Sequence, residues 1–79
     1  MNPRLHQQVD DVVRAVLRSA RGRLDRLHSV TVGLAEGLAA DAFAAAVRRA
    51  LATRGAPPVD VQVLAGNGPA CLLAVEYRQ

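Results

Sequence analysis

Seventy-nine residues allow one small domain, here 1–79, and a chain with 51% hydrophobic and 22% charged residues is too apolar to be a disordered tail. One Phe, one Tyr and no Trp leave Ala, Val and Leu to build the core, so chain entropy and burial come near to balance and self-association or an obligate partner is favoured. The net charge of +3 is modest, and the lone Cys71 excludes an internal disulfide and any Cys-x-x-Cys metal or redox site.

Taken in chain order, Asn2 and Pro3 form an N-cap with proline at the first helical position. Leu5, Val9, Val12, Val13, Val16, Leu17 and Ala20 then recur at three- and four-residue spacing, which predicts an amphipathic helix of about five turns that stops near Gly22. After a polar link, Val30, Val32 and Leu34 alternate with Ser29, Thr31 and Gly33, the signature of a strand with one buried face. A second helix runs from about Ala39 to Arg54, with Asp41 complementing its dipole and Gly55-Ala56-Pro57-Pro58 ending it. Val59, Val61 and Val63 predict a second strand, and Cys71 to Arg78 a third. Gly66-Asn67-Gly68 between them reads as a hairpin turn, with Cys71 a small core side chain at the third strand's start.

The fold these elements imply is α+β, in the order α-β-α-β-β, with two helices on one face of a three-stranded sheet. The helices then cover Val30, Val32, Leu34, Val59, Val61, Val63, Leu73 and Val75. Two surfaces are left over. Helix two is apolar around its circumference through Ala42-Phe43-Ala44-Ala45-Ala46-Val47, although only one stripe can meet the sheet, and the opposite sheet face carries Leu64, Leu72 and Ala74 beside Asp60, Gln62 and Glu76. These residues point to a homo-oligomer, most simply a dimer, whose interface draws on Ala42, Ala45, Ala46 and Arg49 or on Leu64, Leu72 and Ala74.

The succession of a helix opening near His6, then Val30-Thr31-Val32-Gly33-Leu34-Ala35-Glu36-Gly37-Leu38, Asp41-Ala42-Phe43, Thr53-Arg54-Gly55 and Val59-Asp60-Val61-Gln62-Val63 resembles the nickel-binding domain of the HypA/HybF metallochaperones over nearly the whole chain. The resemblance implies an accessory protein of nickel-enzyme maturation, above all of hydrogenase, binding or relaying nickel with a maturation GTPase or target enzyme as partner. It sets His6 and Gln7, within Leu5-His6-Gln7, against the family's Met-His-Glu opening and makes them the candidate metal residues, with nickel the implied cofactor. The family's zinc domain is replaced by Gly66-Asn67-Gly68-Pro69, so no zinc is expected, and the loop at Glu36-Gly37 is shorter than the family's. Pro3 has no amide hydrogen to lose, so a contiguous chelate running from the terminal amine to His6 is blocked.

Other chemistry finds little footing. Asp10 and Asp11 are adjacent and diverge on a helix, Cys71 has no assignable base, and no glycine loop is shaped for phosphate, so an enzyme is not expected. Arg14, Arg18 and Arg21 share a helical face, but neighbouring Asp residues offset them and stacking aromatics are missing, which argues against nucleic acid. The apolar runs reach about a third of the ~20 residues that span a bilayer, and the N-terminus reads as a charged amphipathic segment rather than a signal peptide, so a cytoplasmic protein without a membrane role is expected. Two functions from different classes remain: a HypA-like metallochaperone, and an interaction module that keeps the fold without the metal.

Overall fold

The computed structural model describes residues 3–34, 37, 39–66 and 68–78. Helix α1 (Pro3–Ser19) follows the apolar spacing read from the sequence: Val12, Val13 and Val16 are fully buried, while Arg14 and Arg18 face solvent. The chain turns at Gly22, whose φ of +78° lies in the left-handed region that glycine tolerates. The Asn2 cap lies outside the described residues. A single 3-10 turn, Leu24–Arg26, leads into strand β1 (Leu27–Leu34), which begins three residues before the first alternating valine.

Helix α2 (Ala40–Ala52) buries Phe43, Ala44, Val47 and Leu51 on one stripe. Its end is a Schellman motif: the Gly55 amide donates to the Ala52 carbonyl at 3.1 Å and the Ala56 amide to the Leu51 carbonyl at 3.1 Å. Gly55 makes this possible with a φ of +90°, and Leu51 and Ala56 meet in the core behind it. Strands β2 (Asp60–Ala65) and β3 (Cys71–Tyr77) complete an α+β fold in the order α-β-α-β-β.

The sheet order is β2-β1-β3, with β2 parallel and β3 antiparallel to β1. This corrects the hairpin expected at Gly66-Asn67-Gly68, because β2 and β3 flank β1 instead of pairing with each other. Asn67 itself lies outside the described residues. The physical reason is that β1 carries the fully buried Val30 and Val32, and a strand that must be covered is best placed in the centre, where both its edges are also satisfied. The link from β2 to β3 therefore crosses the end of β1, so closely that a Cβ on Gly66 would lie 3.3 Å from the Leu34 carbonyl oxygen.

Two irregularities in the β1–β3 ladder decide which side chains face which way. One falls between Leu27 and Ser29, where His28 is unpaired; the other lies opposite Thr31 and Val32, where Leu73 is the extra residue between Ala74 and Leu72. The second reverses the expected assignment of two leucines. Leu72, read as part of the uncovered face, pairs with Val32 and packs on the core, whereas Leu73, read as core, is exposed. Cys71 is also exposed rather than a core side chain.

Both helices lie against the same side of the sheet, α1 packing on α2 and β3, and α2 on β2. A polar contact between α1 and the sheet fastens this layer. The buried Ala70 backbone amide, just before β3, donates to Gln8 Oε1 of α1 at 2.7 Å, joining residues 62 apart in sequence. Replacing Gln8 by Ala removes the acceptor from an amide that folding has taken out of water, a loss of about 1–3 kcal/mol. Urea unfolding followed by circular dichroism should show that destabilisation in Gln8→Ala and a much smaller one in Gln8→Glu, which keeps an acceptor oxygen.

Candidate functional site

Among the described residues no element covers the face of the sheet away from the helices, and its register gives that face a chemical gradient. At one end, Ser29 pairs with Asp60 on one side and Glu76 on the other, so two carboxylates flank a small buried hydroxyl. In the middle stand Gln62, Thr31 and Ala74. At the far end Gly33 lies between Leu64 of β2 and Cys71 of β3. A Cβ on Gly33 would meet Cys71 Sγ at 3.3 Å and Leu73 Cδ1 at 3.8 Å, so both side chains fold over the glycine.

The central strand is thus lined with Ser, Thr and Gly, and larger groups on the outer strands rise on either side of it. Leu64 and Leu73 are each 53% exposed and, among the described residues, are the large hydrophobic side chains that stand out into solvent. Both lie at the Gly33 end. Beyond the opposite end of the face, Tyr77 donates its hydroxyl hydrogen to the Ser19 carbonyl at 3.0 Å and Arg23 stacks over its ring at 4.2 Å, which ties the end of β3 to the last residue of α1 and to the turn after it.

A second concavity lies in the helix layer. Between the first half of α1 and the second half of α2 runs an open groove of about 470 Å³, floored by Leu5, Val9, Ala46 and Ala50 and edged by His6, Arg49, Thr53 and Arg54. It exists because Ala46 and Ala50 leave space that larger residues on α2 would fill. Arg54 is fixed at its end, donating from Nη1 to the Ala50 carbonyl at 3.1 Å.

The candidate site residues divide between these surfaces. His6, Ala46 and Arg49, drawn from two different expectations, line the same groove; Gln7 lies beside it, exposed on α1. Leu64 and Ala74 stand on the open sheet face, Leu72 does not, and Ala42 and Ala45 are exposed on α2 away from both. Leu73, Cys71 and Arg54 belong to these surfaces and were not among the sequence candidates. In Ala70-Cys71-Leu72-Leu73-Ala74-Val75 both alternating sets are apolar, so nothing local marks where the ladder slips.

Among the described residues no three His, Cys, Asp or Glu side chains cluster as a metal site would require. No described helix is long and apolar enough to cross a membrane. Comparison with protein-family models, with curated proteins and with solved structures returns no match.

An exposed thiol on an uncovered face should react in the native state. Cys71 is expected to be alkylated by iodoacetamide in dilute folded protein at a rate comparable to the same treatment in urea. Slowing by a hundredfold or so in the native state, of the order that burial behind a local opening imposes, would place the thiol inside instead.

Proposed function

We propose that this chain is a protein-interaction module that acts by self-association, and that the open face of its sheet is the surface it uses. The observation that carries this reading is the pair Leu64 and Leu73, two half-exposed leucines at one end of a face that no element covers. Large apolar side chains grouped in this way mark interaction surfaces, and a domain with so small a core gains most from covering them.

The gradient along the face selects the arrangement. Superimposing two faces completely, strands running the same way, would set Asp60 of each copy against Glu76 of the other; running opposite ways, it would press carboxylates onto leucines. A two-fold axis through the Gly33 end avoids both. Leu64, Cys71 and Leu73 of each copy then meet their equivalents, and the carboxylate ends point apart. Asp60 and Leu64 are four residues apart on one strand, about 13 Å at ~3.3 Å per residue, so the two acidic ends stand roughly 26 Å from each other, beyond the ~8 Å screening length of physiological salt. A three-stranded face is small beside the ~800 Å² per partner of a standard interface, so the dimer is a weak one, with a Kd of micromolar order.

Nickel relay in the manner of the HypA/HybF proteins, with a GTPase or target enzyme as partner, is the second reading. The order α-β-α-β-β favours it, since the residue pattern behind the resemblance falls on elements in that order. Its site is less favourable. His6 borders a groove whose other ionisable edge groups are Arg49 and Arg54, and two guanidinium charges raise the cost of placing a metal cation beside them.

Sedimentation equilibrium across ten to several hundred micromolar protein should show a reversible monomer–dimer equilibrium, with Cys71 alkylation slowing as dimer forms. Leu73→Glu and Leu64→Glu change exposed positions, so they should keep the native circular dichroism spectrum and sediment as monomers throughout. A wild-type chain that is monomeric at the highest concentration overturns the reading. Nickel titration by calorimetry is expected to show no binding that depends on His6; micromolar binding abolished by His6→Ala would transfer the assignment to the metallochaperone.

A further inference from the structure

The self-association surface leaves the helix layer free, and the groove between α1 and α2 has a composition of its own. Its floor is apolar, Leu5 and Val9 on one side facing Ala46 and Ala50 on the other, and its polar edge is basic. Among the described residues the Arg49 guanidinium has no ionic or hydrogen-bonding partner, and Arg54 commits a single N–H to the Ala50 carbonyl, leaving most of its donors facing outward. Asp10, which lines an adjoining hollow with His6, Val9, Ala50 and Arg54, is engaged by Arg14 at 3.2 Å. An apolar trough edged by uncompensated cations is complementary to an apolar stripe edged by carboxylates.

We infer that this groove docks an acidic amphipathic helix of another protein. From Ala46 to Thr53 the groove runs seven residues along α2, about 10 Å at 1.5 Å per residue, which is the length of two helical turns. A docked helix therefore inserts two apolar side chains at i and i+4 over Ala46 and Ala50 and holds Glu or Asp on the flank toward Arg49 and Arg54, the helix-in-groove mode of recognition. A second copy of this chain is a poor occupant. The exposed side of α1 sets Asp11 among Arg14 and Arg18, and that of α2 sets Asp41 beside Ala42, Ala45, Arg48 and Arg49, so each offers mixed charge rather than an apolar stripe flanked by carboxylates alone. The overall charge of +3 works in the same direction, favouring encounter with an acidic partner.

The test uses the full chain and two synthetic amphipathic peptides of about 15 residues, near the length at which an isolated helix becomes populated, with leucines at helical spacing and either Glu or Lys on the flanks. Fluorescence anisotropy should show the Glu peptide binding with a Kd below about 1 mM, weakening as salt is raised, and the Lys peptide failing to bind. Arg49→Glu should weaken the Glu peptide about fivefold to tenfold, Arg49→Lys should restore most of the loss, and Leu73→Glu should leave it unchanged while abolishing the dimer. The proposal is overturned if neither peptide binds, if both bind alike, if Arg49→Glu has no effect, or if Leu73→Glu removes the binding and so moves the occupant to the sheet. Because sedimentation reads the dimer separately, each surface stands or fails by its own measurement.

Discussion

The burial of one face of β1 is the constraint from which the rest of this structure follows. Val30 and Val32 are fully enclosed, and the side chains that enclose them come from everywhere else: Val12, Val13 and Val16 from α1, Phe43, Val47 and Leu51 from α2. A strand so placed must be central, which puts β2 and β3 on its two sides and forces their connection across its end. With two short helices available, only one face can be covered. The other is left with Ser29, Thr31 and Gly33 along its middle, residues too small to stand out into solvent. What projects there is set by the outer strands, so the open face takes its chemistry from β2 and β3: carboxylates at one end, leucines at the other.

The lack of large aromatic residues shapes the helix layer in a similar way. Phe43 is the one Phe of the chain and lies fully buried, so the remaining contacts between α1 and α2 are made by Val, Leu and Ala. Valine and leucine from α1 against alanine from α2 do not fill the interhelical space along its whole length, and the groove is what remains. Its basic edge has a separate origin. Both guanidinium groups lie near the C-terminal end of α2, where cations complement the helix dipole, and Arg54 makes that interaction directly with the Ala50 carbonyl. A residue that is useful to the helix is thereby also held at the rim of the groove.

Much of this architecture was legible in the sequence because the signals were local. The spacing of Leu5, Val9, Val12, Val13 and Val16 gave α1 its buried stripe, Gly22 and Gly55 marked the turns that follow the two helices, and the alternation of Val30 and Val32 marked β1. The features that were not legible depend on which strand lies beside which. Gly66-Asn67-Gly68 carries a turn signal whether or not its flanking strands pair, so it could not reveal that β1 stands between them. The slip opposite Thr31 and Val32 exchanges Leu72 for Leu73, and two adjacent leucines give no hint of it. The candidate surfaces share this division: the polar residues of the open face were assigned to it by parity, whereas the leucine at its apolar end depended on the bulge. The groove was hidden for a further reason. Its two walls are far apart in sequence, and the seven alanines of α2 read as a helix former's repeat until α1 is laid beside them.

The two surfaces lie on opposite layers of the molecule, and this has a consequence for how they would work together. A dimer closed through the sheets has its helix layers outermost, with one groove on each side, so occupancy of the groove does not compete with the dimer contact. A weak dimer and a weak groove then reinforce each other when the partner carries two acidic helices or is itself dimeric, because the second contact forms at the effective concentration set by the first. Neither surface needs to be extensive for such an assembly to hold. The small core of the domain sets the same limit from the other direction, since the aromatic side chains that anchor strong interfaces are scarce in this chain, which has one Phe, one Tyr and no Trp.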